Sequence, residues 1–105
     1  SLGGDSMKVY ATTKHSPFET REVMSIHMTR KGALQVACET MLEIMLGYDT
    51  YDDSDLVWIE DNLGTLYNPD HTLTIAELDG IFEYADRLLL EVDTEVEIMW
   101  YTLEP

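Results

Sequence analysis

The sequence is poor in positive charge. It holds 6 Lys and Arg against 21 Asp and Glu, a formal net charge of −15. A chain so short of bases cannot neutralise phosphates, so direct nucleic-acid binding is excluded, and an anionic membrane surface repels it. There is one cysteine, Cys38. It has no partner for an internal disulfide, and zinc frameworks need more cysteines, so a reducing cytoplasm is the expected location. His15, His27 and His71 are scattered, with no H-x-x-H or C-x-x-C spacing, and no transition-metal site is expected. No apolar run approaches the roughly 18 residues of a membrane helix. The opening Ser1–Ser6 (SLGGDS) lacks the basic-then-apolar pattern of a signal peptide. It reads as a tag remnant or disordered leader, with a single domain over 7–105. There is no glycine-rich phosphate loop and no G-x-S-x-G. Cys38 falls on the apolar face of a helical pattern, where cysteine acts as a small hydrophobe. No nucleophile–base set emerges, so neither an enzyme nor a cofactor is expected.

What is present is acid, unevenly placed. Residues 1–47 carry five bases and five acids, whereas residues 48–105 carry sixteen acids and one base, Arg87. The entire net charge lies in the second half. Such a field speeds encounter with basic partners, and it also serves solubility alone.

The periodicity is clearer. Met7–Lys14 and Arg21–Met28 alternate as strands around a turn at His15–Thr20 that contains Pro17, which suggests an antiparallel hairpin. Thr29 caps a helix over Arg30–Leu46, ended by Gly47. Ser54 or Asp53 caps a shorter element through Tyr67, although Gly64 leaves a short strand at Leu56–Glu60 open. Thr74 with Glu77 forms a capping box, and a helix follows over Ile75–Val92. Glu95–Leu103 alternates as a final strand with large apolar residues on both faces. Val96, Ile98 and Trp100 share one face; Met99, Tyr101 and Leu103 share the other with Glu97. Either something covers the second face or it is a contact surface.

The expected architecture is α+β. A small antiparallel sheet of about three strands carries two to three helices packed on one face. Expected core residues are Val9, Ile26, Met41, Ile59, Phe82, Leu89, Ile98 and Trp100, and Ile75 heads the buried stripe of its helix.

Two windows approximate a calcium-binding EF-hand loop. Asp49 and Glu60 stand at positions 1 and 12, with Asp53 and Asp55 at 5 and 7; Asn68 to Asp79 gives a second match. Both lack the glycine that the sharp turn at position 6 needs, having Ser54 and Leu73 there, so a degenerate calcium module ranks low. Asp52, Asp53 and Asp55 already have work at the positive end of a helix dipole. Asp79, Glu83 and Asp86 recur at i, i+4, i+7 on a polar helix face. Like charges so spaced repel, which marks the stripe as kept for a purpose beyond the helix, or as a solvated face. One helical turn rises about 5.4 Å, of the order of phosphate spacing along a strand, so such carboxylates suit a groove built for nucleic acid.

The segments "MKVYATT", "MTRKGAL" and "VEIMWYTLEP", with the acidic middle between them, resemble many small acidic proteins encoded by bacteriophages. That resemblance implies a class of inhibitor that blocks a host defence, repair or transcription protein, in some cases by DNA mimicry, in the host cell cytoplasm. It assigns no site residues, and this chain departs from strong mimics by concentrating its acids after Tyr48. From the residues themselves, a basic or nucleic-acid-binding protein is the expected partner; the resemblance makes it a host protein. Asp49, Asp52, Asp53, Asp55, Asp79, Glu83 and Asp86 would supply the charge, with Tyr48, Tyr51 and Tyr101 as rim or anchor aromatics. The alternative is an assembly protein, such as a homodimer, self-associating through Met99, Tyr101 and Leu103.

Overall fold

The computed structural model describes residues 7–104; the leader expected at Ser1–Ser6 lies outside them. Strand β1 (Met7–His15) leads through a turn to β2 (Glu22–His27). Helices α1 (Arg30–Leu46), α2 (Asp53–Tyr67) and α3 (Ile75–Leu89) follow, then a 3₁₀ turn at Leu90–Val92 and strand β3 (Glu95–Leu103). The sheet is antiparallel with order β2-β1-β3. The first strand is therefore central, and the last returns to its free side along a register from Met7↔Leu103 to His15↔Glu95. The architecture is the small α+β fold expected.

Local chemistry explains the boundaries. The Thr29 hydroxyl accepts from the Gly32 N–H and starts α1. Asp52, rather than Ser54 or Asp53, caps α2 by accepting from the Asp55 N–H at 2.9 Å. Gly64 does not interrupt that helix, and Leu56–Glu60 is helical rather than a strand. Thr74 and Glu77 complete their capping box in both directions. The last helix is shorter than its periodicity suggests. It tightens to 3₁₀ at Leu90 and stops at Asp93, whose φ of 51° is left-handed. In the hairpin, Thr12 faces Ser25 but Thr13 faces Val23, so Met24 is the extra residue of a β-bulge.

The three helices share one core. Leu34, Met41, Leu42 and Met45 of α1 are enclosed by Ile59 and Leu63 of α2 and by Leu78 and Leu89 of α3. Helix α1 lies on the sheet, where the buried Thr12 hydroxyl donates to the Ala33 carbonyl at 2.7 Å. Alternation then assigns the faces. Tyr10 and Thr12 point toward the helices with their neighbours Trp100 and Ile98, and Val96 extends that face. Val9, Ala11 and Thr13 point away, beside Tyr101, Met99, Glu97 and Ile26.

Several core expectations are corrected. Ile26 is 67% exposed because it lies on the sheet face that no helix covers. Trp100 is on the helical side yet 59% exposed, because the sheet runs beyond the helical layer there. The Lys8 ammonium stacks 4.2 Å from its indole centroid instead. Ile75, in the first turn of α3, is also exposed. Val9 is buried, but among neighbours on the open face and outside the helical core. Met41, Ile59 and Leu89 are fully buried, and Phe82 and Ile98 are partly buried against the core.

Candidate protein-binding surfaces

The uncovered sheet face carries a broad apolar patch. Around the buried floor of Val9 and Ala11 stand Met7, Val23, Ile26, Tyr101 and Leu103, with Met28 one residue past β2; each is exposed by 45% or more. Six half-exposed side chains present roughly 600 Å² of surface, the upper end of the about 300–600 Å² seen for the largest patch of an ordinary monomer. One end of this face is polar. Arg21 reaches across Thr13 to Glu97, pairing at 3.2 Å.

The helical side carries the acid. Asp49 is exposed before α2, and Asp53 and Asp55 occupy its first turn. Asp52 is held by its cap, its carboxyl lowered by the Asp55 backbone N–H and then by the Ser54 hydroxyl. Along α3, Glu83 and Asp86 are exposed, but Asp79 pairs with Arg30 at 2.9 Å, so the stripe is partly neutralised. These two ion pairs are the only ones among the described residues. Tyr48 is 45% exposed near the acidic cluster. Tyr51 is corrected from rim to core: it is buried, and its hydroxyl donates to the Leu88 carbonyl at 2.8 Å. Burial, then the negative charges of Glu91 and Asp55, raise its pKa. Tyr101 lies apart from the acids, on the open sheet face. The expected site residues thus fall on two surfaces.

A third feature was not anticipated. Between β3 and α3 runs a groove of about 460 Å³, with Leu34, Phe82 and Ile98 among its apolar lining and Asp86, Glu95 and Glu97 among its acids. The alternation of β3 was visible in sequence, but its placement beside α3 is tertiary.

The chemistry of the remaining candidates is plain. The Cys38 Sγ–H donates to the Leu78 carbonyl at 3.4 Å, and its pKa is pushed up to about 12 by burial and then by Asp79 and Glu39. A thiol so held has almost no thiolate at neutral pH. Ellman's reagent at pH 8 is expected to leave Cys38 unmodified in the folded protein and to titrate one thiol after denaturation; rapid labelling of the folded chain would contradict this packing. No cluster of three or more His, Cys, Asp or Glu able to hold a metal occurs among the described residues. No helix there is long and apolar enough to cross a membrane.

The two caps also set an acid limit to stability. Glu77 is lowered by the Thr74 backbone N–H and then its hydroxyl, as Asp52 is by its own cap. A carboxyl depressed in the fold stabilises above its unfolded pKa, and that contribution disappears as pH falls through the folded value. Asn and Gln preserve the accepting oxygens without titrating. Between about pH 4 and 2, the melting temperature of the chain is therefore expected to fall more steeply than that of an Asp52→Asn, Glu77→Gln double variant. Parallel curves by circular dichroism would show that these caps do not carry the acid limb.

The chain matches no protein-family model, no curated protein and no solved structure.

Proposed function

We propose that this chain is a non-catalytic protein-binding protein that pairs with a second copy through its open sheet face and turns its acidic helical layer outward to capture a basic partner. The observation that carries this reading is the segregation of surface chemistry. A broad apolar face lies on one side of the sheet and the acid-rich helices on the other. A chain of net charge −15 repels its own copies. They can approach best where acid is scarce, and the Met7–Leu103 end of the open face meets that condition. The whole face, at roughly 600 Å² of apolar surface, approaches the about 800 Å² that each partner contributes to a standard interface.

A basic partner that handles nucleic acid suits the outward layer best. Its groove is shaped for phosphates, and the unpaired Glu83, Asp86, Asp53 and Asp55 offer anions on rigid helices. Occupying that groove would block a host defence, repair or transcription protein, in keeping with a phage-encoded inhibitor acting in the host cytoplasm. Sedimentation at low and high salt tests the first part. Twice the chain mass, retained in high salt, is the expected result; single chains at every concentration would refute the pairing.

A further inference from the structure

We propose that the groove between β3 and α3 takes an extended segment of a partner protein, alternating basic and apolar residues, as a fourth strand on the free edge of β3. This rests on the reading of the helical side as a capturing surface and names how the capture occurs. β3 is an edge strand. Residues from both of its faces, Glu95 with Glu97 and Val96 with Ile98, line the groove. Consecutive residues Glu95–Ile98 face alternately to either side, so a groove that all four line follows the strand's edge. The Thr13 hydroxyl donates to the Glu97 carbonyl, which therefore turns toward β1. Backbone groups alternate in direction along an antiparallel strand, so Val96 and Ile98 direct their N–H and C=O to the free edge. That edge is a template for an added strand.

The groove also selects the chemistry of the strand. Phe82 and Ile98 offer an apolar seat, and the exposed indole of Trp100 widens it. Asp86 and Glu95 supply the negative side, while Arg30 is occupied by Asp79 and the Glu97 carboxylate is held by Arg21. Side chains of an added strand alternate, so apolar residues would face Phe82 and Ile98 on the helical side and basic ones Glu95 on the other, with Asp86 adding negative charge across the groove.

The probe is an acetylated, amidated octapeptide alternating lysine and valine, about 27 Å long when extended and thus comparable to β3. Binding is followed by amide shifts and by hydrogen exchange. The expected result is new exchange protection at Val96 and Ile98. Affinity should fall at least tenfold when alternate peptide nitrogens are methylated, or when the four lysines are grouped in one block. Asp86→Lys, at an exposed position, should weaken binding without moving the melting temperature. Equal binding of alternating, blocked and methylated peptides would leave charge capture standing but overturn strand addition. No binding of any of them would overturn both. Protection of Val96 and Ile98 that rises with protein concentration in the absence of peptide would assign the edge to a second copy instead and overturn this proposal.

Discussion

Ile26→Glu is expected to convert paired chains into single chains while leaving the fold intact. Ile26 stands beside Ala11 on the open face and is 67% exposed, so folding of one chain does not depend on it. In a symmetric pair the same patch meets itself, and each substitution acts twice. Losing the burial of one isoleucine costs about 1.5–3 kcal/mol, so two copies lose at least about 3 kcal/mol, or more than about 100-fold in the dissociation constant. Desolvation of two carboxylates adds to that loss. Glu83→Lys with Asp86→Lys, on the opposite layer, should leave the mass unchanged or favour pairing slightly by reducing repulsion. Light scattering across a concentration series reads both variants. An Ile26→Glu protein that pairs as tightly as the parent would show that the open face is not where copies meet.

The elements were legible because their signals are local. Thr29, the Thr74–Glu77 box and the alternation of β3 each act within a few residues, and the strands and helices stand where these cues put them, apart from the early end of α3. Which surfaces are buried was less legible. β1 has small or β-branched residues on both faces, and Val9 looked the better core residue than Thr12. The helical side belongs to Thr12 because its hydroxyl finds the Ala33 carbonyl, 21 positions away. Tyr51 looked like a surface aromatic amid acids, yet its hydroxyl reaches Leu88, 37 positions on. Arg30 neutralises Asp79 across 49 positions, which thins a stripe that helical spacing alone presents as continuous. Trp100 depended on how far the helical layer extends along the sheet, a length that no single strand encodes.

The same distinction between neighbours gives the largest stability contrast. Leu89 and Leu90 are adjacent leucines. Leu89 is fully buried in the core, while Leu90 is 71% exposed at the start of the 3₁₀ turn. Leu89→Ala removes packed methyl groups and leaves a cavity that the surrounding α1 and β3 side chains close only in part. Its cost is expected at about 2–5 kcal/mol. Against the roughly 5–15 kcal/mol by which a domain is usually stable, that is a large fraction. Leu90→Ala changes solvent contact alone and is expected within about 0.5 kcal/mol of the parent. Urea titration of both variants separates the cases through their midpoints. If midpoint losses were equal, the end of α3 would pack differently from the arrangement described. A large loss at Leu90 alone would mean that the groove side of the turn is covered in solution, and that a second copy or another segment already occupies it.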